Sequence, residues 1–218
     1  MSSPLQNIKE GIKYVAKERV TRTFMLMGFV LPLFIIPIFT ILPPIYAKDV
    51  FTGEADVLGL LLAFVGVGGI FGGIVTASLG RVERRGLIQL VSLFLLSLSL
   101  IGFAFCTELW TALLCLALAG FFEIIFLTTN QTLLQLSIPD ELRGRVTSIV
   151  NLNAALSPLG GLVAGIGSDL LGGPKTITIA FGAIAASIAI LVFLFSPTVR
   201  NYRLSKAIST EFTMTEEV

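Results

Sequence analysis

Six apolar runs of about 20 residues, set apart by short polar turns, constrain this chain more than any other feature. A helix needs about 20 residues to cross the hydrocarbon core of a bilayer. The runs fall at Thr23–Tyr46, Val57–Gly80, Gly86–Cys106, Leu109–Leu136, Val146–Leu171 and Thr176–Ser196. Only 13% of the residues are charged, about half the share usual in soluble domains. No alternation of period two persists over successive ten-residue segments, which argues against a transmembrane barrel. The expected architecture is an all-α integral membrane protein, a six-transmembrane-helix bundle. It comprises an arm at residues 1–22, the bundle at 23–197 and a tail at 198–218.

The basic residues orient that bundle. Lys9, Lys13, Lys17, Arg19 and Arg22 precede the first run, and Arg81, Arg84 and Arg85 follow the second. Arg143 and Arg145 follow the fourth, and Arg200, Arg203 and Lys206 follow the sixth. Of 15 basic residues in all, only Lys48 and Lys175 fall in the intervening turns. The positive-inside rule therefore places both termini of this multi-pass protein in the cytoplasm. Ile8, Ile12 and Val15 recur at helical spacing within the arm, as in a helix lying on the membrane surface. The apolar run that follows the arm is too long for a signal-peptide core.

Several function classes recede on composition. A net charge of +1 gives no reason to expect nucleic acid as a partner. There is no His, the commonest general base and metal ligand. Cys106 and Cys115 lack a CxxC spacing and read as small core residues, with no disulfide or metal site. An integral membrane enzyme needs a constellation of nucleophile, base or metal ligands, and none is present. No cofactor is expected.

The runs differ in character. The first holds Pro32, Pro37, Pro43 and Pro44 and should be kinked or broken, as helices lining a moving cavity often are. The second carries two overlapping GxxxG pairs, Gly68/Gly72 and Gly69/Gly73, which let helix backbones approach closely. The third is apolar apart from serines and is expected to face lipid, with the sixth as a second scaffold helix. In the fifth, Pro158 should bend the helix just ahead of the small-residue pair Gly161/Gly165.

The fourth run carries an acid, Glu123, near its middle, and no Lys or Arg lies within any run. An acid in hydrocarbon requires a partner or a use. A carboxyl that takes up and releases a proton there is what a proton-coupled carrier needs. A protonated glutamate bonded to a neighbouring helix is the structural alternative. Asn130 lies seven residues on, on nearly the same helix face. Asn130, Gln131, Asn151 and Asn153 either bind a solute or tie helices together.

The turn Ala77-Ser-Leu-Gly-Arg-Val-Glu-Arg-Arg-Gly86 resembles the Gly-x-Leu-Ala-Asp-Arg-x-Gly-Arg-Arg loop of the major facilitator superfamily, in the weaker form of its second half. Asn130-Gln-Thr-Leu-Leu-Gln135 with Pro139-Asp-Glu-Leu-Arg-Gly-Arg145 is similar to the fourth-helix ending and connector of its bacterial drug and siderophore exporters. Ser157-Pro-Leu-Gly-Gly161 resembles the exporters' Gly-Pro-x-x-Gly-Gly bend, and Ile8–Val15 the linker before the second half. One departure is Arg81-Val82-Glu83, which stands where the family pattern has Asp-Arg-x.

The resemblance implies half of a major facilitator fold, the C-terminal six helices. It implies small-solute efflux by alternating access, with the lipid bilayer, the solute, and either an absent N-terminal half or a second copy as partners. The proton gradient is the implied energy source. The first, second, fourth and fifth helices would line the cavity. Glu123, Asn130, Asn151 and Asn153 would serve substrate or coupling. Gly80, Arg81, Arg84, Arg85, Asp140, Arg143 and Arg145 would form the cytoplasmic gate, and Pro32, Pro158 and Gly161 the helix bends. A fragment of a longer protein is expected first, then a split half, then a homodimer. A scaffold that transports nothing is the alternative.

Overall fold

Four prolines in the first apolar run decide the least regular part of the molecule. The structure is a computed structural model that describes residues 14–53, 55–78, 82–139, 142, 144, 146, 150 and 155–202. Among them every regular element is helical. The first span, α1 (Arg19–Val50), is continuous in direction but not in winding. Proline has no N–H to donate and its ring crowds the carbonyl four residues back. Around Pro32 the backbone widens into a π-helical stretch at Leu31–Ile35, with the Ile36 N–H reaching the Leu31 carbonyl. A turn at Ile41–Leu42 precedes Pro43, and a second π-helical stretch occupies Tyr46–Val50. Such stretches re-pair backbone groups that prolines would otherwise orphan in a setting without water.

The remaining elements are α2 (Ala55–Ser78), α3 (Arg85–Phe105), α4 (Leu109–Leu136), α5 (Ser157–Leu170), α6 (Pro174–Phe195) and the short α7 (Pro197–Arg200). Five of these, α1, α2, α3, α4 and α6, are long and apolar enough to cross a membrane. The fifth run shows its second half as α5, and residues 147–149 and 151–154 lie outside the described residues. α4 packs between α2 and α3, and α3 packs between α4 and α6. The middle of α1 lies against α5.

Glycines set how close the helices come. A Cβ on Gly68 or Gly72 of α2 would overlap the backbone carbonyls of Ala117 and Phe121 on α4. Gly120 of α4 receives the Val65 carbonyl in return. The other overlapping pair is not used this way, since Gly73 has nothing within 4 Å and Gly69 meets only Ile124. Of the two GxxxG registers, Gly68/Gly72 makes the contact.

The third helix has two distinct faces. α3 exposes Val91, Phe94, Leu98 and Phe105 but buries Gln89, Ser92, Leu93, Leu96, Ser97 and Leu100. Flanked by α4 and α6, it forms the middle of the bundle, and its serines face inward. Ser97 donates to the Leu93 carbonyl one turn back, so its burial leaves no orphan.

The ends of the bundle are tied differently. At the arginine-rich end, Thr21 and Tyr14 donate to the Ser137 carbonyl at 3.0 and 3.3 Å, just beyond α4. Gly86, at the start of α3, lies against the Val199 carbonyl of α7, and Phe24 meets Tyr202 edge-on at 5.4 Å. Residues that precede α1 and residues that follow α6 therefore gather at one end. Burial pushes the Tyr14 and Tyr202 phenols upward, so both remain neutral donors. At the opposite end Tyr46 packs on Phe103 at 4.4 Å, its hydroxyl 3.0 Å from that of Thr178. Trp110, 73% exposed at the start of α4, sits where an interfacial aromatic belongs. Cys106 and Cys115 are free thiols, with sulfurs 3.9 Å apart.

Candidate functional site

The widened part of α1 and the start of α5 form one unit. A Cβ on Gly160 would come within 2.6 Å of both the Pro32 and Leu33 carbonyl oxygens and 2.9 Å of Pro37 Cγ. Ordinary C···O contacts lie at about 3.3–3.6 Å. Only glycine therefore lets α5 press against the π-helical backbone. Gly161 next to it faces Ile41, where a Cβ would sit at 3.1 Å. Pro158 is the second residue of α5, where its missing N–H costs nothing and its fixed φ suits the first turn. Pro32, Pro158 and Gly161 thus meet at a single interface. Beside it an open cleft of about 710 Å³ is lined by Thr40, Ile41, Ser157, Pro158, Gly161 and Leu162. That is within the size range of small-molecule sites.

Glu123 lies half-buried at the middle of α4. Among the described residues it has no hydrogen bond or ion pair. Its helical neighbours one turn either side, Ala119, Gly120 and Phe126, are buried. A carboxyl within a membrane-spanning helix is costly unless it finds a partner or is neutral.

Asn130 is placed otherwise. It is 5% exposed, and its carbonyl oxygen accepts from Gln89 Nε2 of α3. Met27 Sδ of α1 also lies 3.7 Å from that nitrogen. The seam joins three helices through amides and a thioether. It is incompletely satisfied, because Gln89 Oε1 and Thr129 Oγ1 are buried without a partner. Buried polar atoms are nearly always paired, so this seam is set apart from the rest of the core. Sequence reasoning passed over Gln89 as part of an apolar run. Its signal was the buried stripe it shares with Ser92 and Leu96, at the three- and four-residue spacing of one helix face.

Of the expected gate residues, Arg84 is exposed beside α3, and Arg85 opens that helix, buried to 7% exposure with Nε unpartnered. Gly80, Arg81, Asp140, Arg143 and Arg145 lie outside the described residues, as do Asn151 and Asn153. The structure brings together Pro32, Pro158 and Gly161, and separately pairs Asn130 with Gln89.

Residues 3–215 match the family described as transmembrane secretion effector. The chain belongs to that family. It is a member of the major facilitator superfamily, in the branch that holds drug and siderophore exporters. It is 31% identical to the staphyloferrin A transporter of Staphylococcus aureus over 65% of this chain and 35% of that protein. It is 28% identical to the multidrug efflux pump Tap of Mycolicibacterium fortuitum over 92% of this chain and 48% of that protein. The enterobactin exporter EntS of Salmonella choleraesuis is 29% identical over 72% of this chain and 38% of its own length. The family member described here thus matches about half, or less, of the length of each of these relatives. No solved structure matches the chain at a significant level.

Proposed function

We propose that this chain forms one six-helix wall of a facilitator-type exporter, which works by alternating access against a second six-helix body. The observation that carries the reading is the outer face of α2. Gly59, Gly66 and Gly73 have nothing within 4 Å, and Ala63 and Ala77 are exposed along the same side. Lipid chains have no need of glycine, whereas a helix that docks closely does. A facilitator's cavity lies between two such halves, near the bilayer midplane. The widened α1 backbone and Glu123 both sit at the middle of their spans, the depth at which discontinuous helices form substrate and ion sites. The second body is a first half, encoded with this one or apart from it, or another copy of this chain. On this reading the arginine-rich end faces the cytoplasm of an inner-membrane protein.

The names of the relatives suggest siderophores and drugs as the solute classes to test. In this proposal Glu123 is the coupling carboxyl, which gives up a proton on one side of the cycle and takes one up on the other. The test is solute-dependent proton movement in energised inside-out vesicles that carry the native polypeptide. A solute from either class should produce a pH change that Glu123→Gln abolishes, with the protein still in the membrane. Solute movement with no proton movement, or an unchanged response in the variant, overturns the coupling role. A C-terminal tag at the native locus settles the arrangement. A band near 23.4 kDa means the half is made as such, and a band about twice that size means a single longer chain.

A further inference from the structure

On the side of the bundle away from α2, the arginine-rich halves of α3 and α6 enclose an open groove of about 270 Å³. Val91 and Phe94 of α3 line it with Ala189, Ile190 and Phe193 of α6, and the lining is apolar throughout. One end is different. Arg200 of α7 lies over the Phe193 ring, its guanidinium carbon 5.1 Å from the ring centroid. α7 is held there because the Val199 carbonyl packs on Gly86, one turn from the groove residue Leu90. Arg85, next to Gly86, is buried with its Nε unpartnered, and Arg84 is exposed beside it. The contact of Gly86 with Val199 brings the Arg84 end of α3 and Arg200 of α7 to the same end of the groove.

We infer that this groove is a specific seat for one anionic phospholipid of the bilayer. An acyl chain lies along Val91, Phe94, Ile190 and Phe193, and the phosphate-bearing headgroup meets Arg200 and the exposed Arg84. Each part of the seat matches a part of the ligand. The wholly apolar lining accepts a hydrocarbon chain and offers nothing to a polar solute. Guanidinium groups bind phosphate oxygens through paired N–H donors, and Arg200 holds such a group at the end of the groove. A zwitterionic headgroup brings an ammonium into the same cluster of positive charge, so the anionic lipid is preferred. Basic pockets between membrane helices select anionic headgroups by this arithmetic, at about 1 kcal/mol per Arg, or roughly fivefold in affinity. The cation–π contact holds Arg200 over the groove and not out in solvent.

The experiment is native mass spectrometry of the protein purified in mild detergent, with phosphatidylglycerol or phosphatidylcholine of identical acyl chains. The wild type should retain one phosphatidylglycerol, with phosphatidylcholine retained at least about fivefold less. Arg200→Gln should weaken the anionic adduct by about fivefold, and Arg200→Lys should keep most of it. Val91→Trp, at an exposed groove position, should abolish the adduct by filling the groove, while Lys175→Gln at the opposite end should leave it intact. Circular dichroism confirms that each variant is folded. Equal retention of the two lipids, an adduct untouched by Val91→Trp, or a second protein copy held on this face in place of lipid overturns the inference.

Discussion

Gly160 offers the sharpest test of how the broken span is held, because its own helix supplies the control. Gly160 and Gly165 are both interior to α5, so replacing either by alanine brings the same helix-propensity gain, up to about 1 kcal/mol. They differ in what the new methyl meets. At Gly165 there is nothing within 4 Å, while at Gly160 two carbonyl oxygens stand at 2.6 Å and Pro37 Cγ at 2.9 Å. Reaching an ordinary C···O distance requires α5 to retreat from α1 by about 0.7 Å. A gap of that size forfeits about a quarter to a half of each dispersion contact across the interface. The neighbours cannot yield instead, since they are backbone and a proline ring. Overpacking of this kind costs about 1–3 kcal/mol. Because the propensity term is common to both variants, the difference between them isolates the packing term. A difference of about 2 kcal/mol corresponds to roughly 4–8 °C in a chain of this size. The assay is thermal unfolding of the detergent-solubilised protein followed by far-ultraviolet circular dichroism. Gly160→Ala should melt below Gly165→Ala by that margin, and Gly165→Ala should melt at or above the wild type. Coincident transitions for the two variants would refute the claim that the widened α1 backbone is pressed into a glycine-only contact.

Glu123→Gln preserves size and hydrogen-bonding capacity while removing the exchangeable proton, so vesicle transport should lose its dependence on the proton gradient with little change in melting temperature. A drop in stability with transport intact would instead mark Glu123 as structural. Asn130→Leu alone strands the Gln89 amide and should cost about 0.6–2 kcal/mol, whereas adding Gln89→Leu should recover most of the loss by removing both partners. If the double variant is the worse of the two in thermal unfolding, the amide pair is not the dominant tie between α3 and α4. Tyr46→Phe should cost about 1 kcal/mol by losing the hydroxyl contact to Thr178, while Tyr46→Ala, which also empties the space against Phe103, should cost about 3–5 kcal/mol. Equal melting of these two variants would show that the ring contributes nothing.

The bundle was legible in the sequence because hydrocarbon permits few alternatives: a run of about 20 apolar residues must pair its backbone internally, so it is a helix. What resisted reading depends on which faces meet. Gly68/Gly72 and Gly69/Gly73 are equally good GxxxG pairs as text, and only the backbone of Ala117, Gly120 and Phe121 selects the first. Gln89 passed unmarked within an apolar run, since the cost of burying it is visible only beside Asn130. The prolines of α1 announced a break but not its form. Pro32 and Pro37 stand five residues apart, so the Leu33 carbonyl loses its α-helical donor at Pro37 little more than one turn after the first break. A wider turn is the remaining way to keep the backbone paired through that stretch. The widened turn then brings two carbonyls outward, and they come to rest against Gly160 of α5. Pro32, Pro37 and Gly160 are therefore a single device written in two distant parts of the chain. Changing any one of them alters how closely α1 can pack on α5.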